Sequence, residues 1–304
     1  MTSIANRKKK GLRLQTRENI AGWLFISLNF IGYILFKLIP IIIAGVLSMS
    51  KWNVAAPLSK MKFVGLDNFA KLFSDSTFWD SLVNTIAYSV VMVPIAICLA
   101  LFLGVILNKH VFGRGLLRLA FYLPNISSMV AVSVVWMILF IPSYGPINQL
   151  LTSIGIQNPP RWLNSSSTSL LSIIIVGIWQ RLGYNIIIIL AGLQDVPQNL
   201  YEAASIDGAN AIAQFRHITI PCLSNTLFFL IIMSFINSFQ VFTPVQVMTE
   251  GGPGTSSSVL VYHIYQTAFM NNNIGYASAM AWVLFLLVFL FTIAKNLVPK
   301  GKKA

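Results

Sequence analysis

The sequence predicts an all-α, polytopic membrane protein with six transmembrane helices. Of its 304 residues 56% are apolar and 10% charged, against about 25% charged in an ordinary soluble domain. Six separate stretches reach the roughly 20 mainly apolar residues that a helix needs to cross a bilayer. The Lys and Arg sit mostly at the chain ends and between these stretches. So few charges cannot coat a water-facing surface, which argues against a soluble enzyme and a disordered chain. The formal net charge of +13 does not signal nucleic acid, which calls for cations gathered on a polar face.

The predicted spans are 20–50, 81–108, 116–140, 169–193, 222–246 and 274–298, and they contain no Asp or Glu. Lys37 and Arg181 lie inside them, and Lys295 near the end of the last. Arg7 and Lys8–Lys10 followed by an apolar run resemble a secretion signal. The run is longer than a signal's apolar region and lacks an A-x-A-like cleavage site, so it reads as a retained first span. With the N-terminus inside, the segments 1–19, 109–118, 194–221 and 295–304 carry 14 of the 21 Lys and Arg, and 51–80, 141–168 and 247–273 carry 5. The positive-inside rule then places both termini in the cytoplasm.

Ala96, Ala100 and Gly104 recur every fourth residue in the second span, as Ala277 and Ala281 do in the last, a spacing that lets helices approach closely in lipid. Pro40 and Pro94 are candidate kinks. Cys98 and Cys222 show no metal or disulfide pattern and read as small buried apolar residues. His110, His217 and His263 are scattered without zinc spacing. The chain has no G-x-x-x-x-G-K-[ST] phosphate loop, nucleophile elbow or HExxH, and Gly251–Gly254 reads as a turn. The sequence thus assigns no catalytic residue, cofactor or metal to this chain.

The segment between spans four and five, 194–221, is the most informative. Asp195 reads as a helix N-cap, with Pro197 in the first turn and Gln198 completing a capping box. Gly208 suits a left-handed helix terminus, and Asn210 can cap a second short helix. The first helix groups Val196, Leu200, Ala203, Ala204 and Asp207 near one face. The second aligns Ile212, Phe215 and Ile218 or Thr219. Such a two-helix elbow fits a groove on a partner; the other reading is a connector packed on its own bundle.

Glu202-Ala203-Ala204, Asp207-Gly208-Ala209, Phe215, Ile218 and Pro221 together resemble the EAA signature of importer-type (type I) ABC permeases. Phe63–Phe69, Thr249–Pro253 and Gly275–Ala279 are similar to the carbohydrate-uptake branch, and the likeness extends over about 60–298. The resemblance implies a permease core spanning 81–298, after a basic tail (1–19), a first helix (20–50) and an external loop (51–80), with a short tail (299–304) behind. It implies that the elbow couples to an ATPase through Glu202, Ala203, Ala204, Asp207, Gly208, Phe215, Ile218 and Pro221. The implied partners are a second homologous permease subunit, two cytoplasmic ATPase subunits that bind ATP and Mg, and an extracellular or periplasmic solute-binding protein docking on the outer loops. The place is the bacterial cytoplasmic (inner) membrane and the solute a carbohydrate, either a sugar, an oligosaccharide or a glycerol-phosphate-like polyol.

Polar residues within spans mark the expected solute route: Trp179, Gln180, Arg181, Tyr184 and Asn185 in span four, and Ser234, Asn237, Ser238 and Gln240 in span five. An intramembrane Arg is costly unless it faces protein or water. The alternative is that these groups bond one another across helices. Lys37 is expected to snorkel outward. Two rival functions remain at this point, an ion-coupled secondary transporter and a non-transporting membrane scaffold. Against the first, ion-driven carriers commonly use intramembrane acids, and this chain has none.

Overall fold

The computed structural model describes residues 5–108 and 112–297; His110 and the expected tail 299–304 lie outside them. The chain begins with α1 (Ala5–Tyr33) and α2 (Ile39–Ser48), joined through a π-helical turn, Ile34–Leu38. A short antiparallel hairpin follows, β1 (Ser50–Lys51) on β2 (Lys62–Phe63), then α3 (Asp67–Ser74) and the long α4 (Ser76–Asn108). Next come α5 (Arg114–Ile126), α6 (Met129–Leu139), α7 (Pro146–Ser153) and α8 (Ser169–Gln194). The elbow is α9 (Gln198–Ile206) and α10 (Ala211–Gln214), leading by a second π-turn into α11 (Ile220–Cys222). The remainder is α12 (Ser224–Ser238), α13 (Thr243–Met248), α14 (Leu260–Tyr265) and α15 (Ile274–Leu297).

Four helical stretches are long and apolar enough to cross a membrane, Glu18–Ser48, Ser76–Asn108, Ser169–Gln194 and Ile274–Ile293. The count reaches six when each of two bent pairs is taken as one span. The expected straight span 116–140 is such a pair: α5 and α6 meet at 102°. Ser127 and Ser128 are extended there, and the Ser127 hydroxyl donates to the Leu123 carbonyl at 2.9 Å, closing the helix end. The expected span 222–246 also breaks. Its helix turns by 67° near Leu223 and stops at Ser238, because Pro244 cannot continue a helix across 240–244. Pro40 and Pro221 each follow a π-helical turn that holds the carbonyl four residues back, where local π geometry takes up the hydrogen bond that proline cannot make. Pro94 sits inside an uninterrupted α4.

The central pair is α4 against α8, with α12 across both. Ala96, Ala100 and Gly104 are buried in it, and a Cβ on Gly104 would meet Ile189 Cγ2 at 2.9 Å. The small-residue stripe is therefore a helix contact, as its spacing predicts. On α8, Gly183 admits the backbone of α5, since a Cβ there would overlap the Phe121 carbonyl oxygen. Along Glu18–Ser48 the most apolar stretch buries nothing, and Trp23, Leu24, Phe25 and Leu28 stand exposed. Lys37 is exposed in its π-turn. Cys98 and Cys222 are exposed too, correcting the expectation of burial: each lies on the outward side of a helix whose inward side meets the bundle.

One end of the bundle is stitched by side-chain hydrogen bonds, and we call it the hairpin end. Asn68 Nδ2 donates to the carbonyls of Ser48 and Ser50 at 2.8 and 3.0 Å. Asn84 Nδ2 donates to the carbonyls of Thr255 and Ser258 at 2.8 and 2.9 Å, and the Leu260 N–H donates to Thr85 Oγ1 at 2.8 Å. Gly251 and Gly254 take positive φ in this loop, the turn expected of the glycine-rich run. Asp75 accepts from the backbone N–H groups of Thr77 and Phe78, capping α4, and from Tyr276 Oη at 2.5 Å. His263 Nε2 lies 3.9 Å from the same carboxylate, and Lys71 stands over the Tyr276 ring.

Burial pushes the Asp75 carboxyl up, but the bonds from Tyr276 and the Phe78 N–H, the His263 charge and the Thr77 N–H together hold it below its ordinary 3.8. Burial lowers His263 from 6.5, only partly opposed by Asp75. A depressed histidine stays neutral in the fold while the unfolded chain takes up a proton, so stability falls as pH drops through 6.5. The Asp75 contribution is present above 3.8 and lost below it, once the folded-state carboxyl protonates. Melting temperature should therefore decline between about pH 7.5 and pH 5, and His263→Gln should flatten that decline. An equal decline in the variant would assign it to other groups.

Candidate functional site

Two places combine polar side chains with open space, and both are built on the α4–α8 pair. The first is a cavity of about 280 Å³ near the middle of α8. From α8 it receives Gly177, Gln180 and Arg181, which share a face at three- and four-residue spacing. Tyr88 and Met92 come from α4, Met129 from α6, Asn237 and Ser238 from α12, and Gln240–Pro244 from the link into α13. The broken end of α12 matters here, because a continuous helix would carry Val241–Pro244 past the cavity instead of across it.

Among the described residues the side chains of Gln180, Arg181 and Gln240 make no hydrogen bond to one another or to neighbours. Asn237 Nδ2 donates to the Met233 carbonyl at 2.6 Å and Ser238 Oγ to the Phe235 carbonyl at 2.8 Å, both within their own helix. Within this chain these groups are thus not interhelical glue. The cavity presents one cation, three amides and a phenol to whatever enters.

The structure divides the predicted route. Gln180, Arg181, Asn237 and Gln240 line the cavity; Trp179, Tyr184, Asn185 and Ser234 do not. Trp179 meets Trp136 edge-on at 5.6 Å and is partly exposed on the far side. Tyr184 packs against the central core. Asn185 is 1% exposed, with neither amide atom hydrogen-bonded, and Ser234 is buried in α12. Tyr88, Met92, Met129 and Gly177 are lining residues that sequence reading missed. Only Tyr88, a hydroxyl inside an apolar span, carried a signal.

The second place is the elbow. Gly208 has φ +78°; its N–H donates to the Ser205 carbonyl and the Ala209 N–H to the Ala204 carbonyl, at 3.1 and 2.8 Å. This is a Schellman terminus, with glycine at its left-handed position. Asn210 Oδ1 accepts from the Ala213 N–H at 2.9 Å, capping α10 as expected. Asp195, by contrast, is the C-terminal boundary of α8 and not a cap of α9, which starts at Gln198 behind Pro197 with no side-chain cap. The turns of α8 run on to Gln194, leaving Asp195 and Val196 to reverse the chain.

Glu202, Ala203, Asp207 and Pro221 are exposed, Ala204 and Ile218 half-buried. Phe215 turns back toward the bundle, where it lines a second cavity. The apolar side chains facing outward are instead Leu200, Ile206 and Ile212, the last two 87% and 77% exposed. Ile212 faces out while Phe215 lines the cavity, so the single expected face of the second helix is split.

Residues 69–303 match the family model described as "Binding-protein-dependent transport system inner membrane component". The chain belongs to this family. The permease is 38% identical to the "Probable ABC transporter permease protein YesP" of Bacillus subtilis (strain 168), over 95% of this chain and 92% of that one. It is 33% identical to the "Trehalose/maltose transport system permease protein MalF" of Thermococcus litoralis, over 92% and 94%. Its fold matches a chain in the crystal structure of a bacterial alginate ABC transporter in complex with an alginate pentasaccharide-bound periplasmic protein. The TM-score is 0.81 at 21% identity, covering 93% of this permease and 94% of that chain. The type I importer permease fold is thereby shown, and the permease is a multi-pass membrane protein.

In the mid-span cavity a Cβ on Gly177 would overlap Tyr88 Oη, so the phenol occupies the space the glycine leaves. Gly177→Ala should cost about 1–3 kcal/mol of stability through overpacking. Adding Tyr88→Phe should recover most of the lost melting temperature. Simple additivity of the two losses would mean that the phenol can move away freely.

Proposed function

We propose that this chain is the permease subunit of a bacterial ATP-driven importer and forms, with a second homologous permease, the path for a carbohydrate. The observation that carries the reading is the elbow: a rigid, glycine-terminated turn holding Glu202, Asp207, Ile206 and Ile212 in the open at one end of the bundle. Exposed apolar side chains rimmed by charge suit a groove on a partner. Two ATPase subunits are the partners this surface fits. ATP and Mg would bind them and not this chain, whose sequence has no phosphate loop. A solute-binding protein would deliver the solute at the hairpin end, and the distribution of Lys and Arg supports a cytoplasmic elbow and cytoplasmic termini.

The carbohydrate class is supported by the trehalose/maltose relative and by the chemistry of the mid-span cavity. Amides and a phenol bond hydroxyl groups, and Arg181 adds charge-assisted donors. The spans without acids fit energy delivered from outside the chain better than ion coupling. Transport then proceeds by alternating access. ATP-driven closure of the ATPases moves the elbow, and α8, continuous with it through Asp195–Pro197, carries the motion to the cavity.

Gly208→Val forces a β-branched residue into the left-handed region, at a cost of about 1–2 kcal/mol, and disrupts the Schellman turn. In the assembled importer it should leave ATP hydrolysis running while uptake fails, read as sugar accumulated per ATP consumed. An unchanged ratio would remove the elbow from the coupling path. Arg181→Ala should lower uptake about tenfold or more, as loss of a hydrogen bond to a charged group does, with subunit assembly intact on size-exclusion chromatography. Failure to assemble would instead make Arg181 a subunit-contact residue.

A further inference from the structure

Behind the elbow lies a cavity of about 500 Å³ that the transport path does not use. Its walls are the last turns of α4 and α8 on one side and the inner faces of the two elbow helices on the other. Asn108, Gln194, Gln198 and Gln214 supply four side-chain amides, and Tyr201 and Phe215 two rings. Among the described residues none that lines it is charged, although Glu202, Asp207 and Arg216 stand exposed on the same elbow. Amides that both donate and accept, beside aromatic rings and without a charge, match a neutral polyhydroxylated molecule. The described lining residues offer an ion no opposite formal charge. The volume falls in the lower part of the range for small-molecule sites, about 300–1,000 Å³, fitting a mono- or disaccharide.

The same side chains hold the elbow in shape. Tyr201 Oη and Thr219 Oγ1 are hydrogen-bonded at 3.0 Å, joining α9 to the π-turn. Gln214 Nε2 donates to Ser205 Oγ at 2.9 Å and to the Ala209 carbonyl at 3.2 Å, joining α10 back to α9. Tyr201, Gln214 and Thr219 all line the cavity. A molecule bound there touches the clasp that sets the angle between the two arms, so its affinity must differ between elbow conformations whenever that angle changes. A ligand shifts such an equilibrium by its differential affinity for the two states.

We propose that this cavity is a second carbohydrate site, on the elbow side of the membrane, through which accumulated neutral sugar binds behind the elbow and slows further import. The proposal rests on the carbohydrate-import reading above. It adds a site distinct from the mid-span cavity and a direction of control, from product to motor.

The test uses the assembled importer, with maltose, trehalose and lactose as probes. In hydrogen exchange without the binding protein, at least one sugar should slow exchange across 198–222 severalfold. Gln194→Leu with Gln198→Leu, and independently Asn108→Leu, should abolish that protection. In proteoliposomes loaded with ATP and the sugar found to be carried, initial uptake should fall about fivefold or more, the scale of ordinary allosteric coupling. Both variants should take up sugar normally into unloaded vesicles and lose most of the inhibition. A sugar that is transported but leaves 198–222 unprotected overturns the second site and leaves the import reading standing. Inhibition that survives both variants and disappears in Gln180→Leu places the effect at the mid-span cavity and overturns the proposal as well. If no sugar is transported or protects any segment, the carbohydrate reading fails and takes this site with it.

Discussion

The close contact of α4 with α8 is the constraint on which both functional places depend. In lipid, helices do not associate by escaping water; they associate by packing, and small residues allow backbones to approach. Gly104 against Ile189, and Gly177 against Tyr88, are glycine positions of this pair where an added Cβ would collide. Between them Ala96 and Ala100 are fully buried. The pair therefore behaves as one rigid body, with the mid-span cavity at its middle and the elbow cavity at its end. From Gln180 to Gln194 along α8 is about 21 Å at 1.5 Å per residue. In the proposed mechanism a displacement of the elbow would thus be delivered to Gln180 and Arg181 by a single continuous helix.

The two ends of the bundle are held by different chemistry, and the difference matches their tasks. At the hairpin end Asn68, Asn84, Thr85 and Asp75 tie loops to helix termini through bonds to backbone groups. Such fixed loops would suit the docking of a solute-binding protein proposed above, since ordering them on binding would cost affinity. At the elbow end the ties include the side-chain clasps Tyr201–Thr219 and Gln214–Ser205. Hydrogen bonds of this kind contribute about 0.5–1.5 kcal/mol each, within reach of a ligand or an ATPase to rearrange.

Most of this architecture is legible in the sequence wherever the cause is local. Gly208 and Asn210 were readable because a left-handed terminus and a side-chain cap depend on a handful of neighbouring atoms. The stripe Ala96, Ala100, Gly104 was readable because its spacing alone makes a flat helix face. The breaks at Ser127–Ser128 and after Ser238 were not, since average hydropathy passes smoothly over two serines and over Phe239–Thr243. Asp195 misled for a related reason. An Asp before Val-Pro is a good cap in isolation, but the turns of α8 packed on the bundle use that position to end a helix. The split of the predicted route has a geometric cause. Gly177, Gln180 and Arg181 face open space, whereas one turn further on α5 crosses α8 at Gly183 and the room beside Tyr184 and Asn185 is gone.

The exposed side chains carry the remaining logic. An elbow that only connected two spans would keep Ile206 and Ile212 on the bundle side, where the elbow cavity lies. Instead Phe215 and Tyr201 line that cavity, and the isoleucines face away from it. Keeping apolar side chains in water forfeits about 1.5–3 kcal/mol apiece, a loss recovered only when another surface covers them. The Schellman turn at Gly208 and the cap at Asn210 fix the orientation that forces this exposure, so the two signals are parts of one device. Local backbone chemistry sets the bend, the bend presents Ile206 and Ile212, and in the proposed importer their burial on a partner would make a push at the elbow felt along α8.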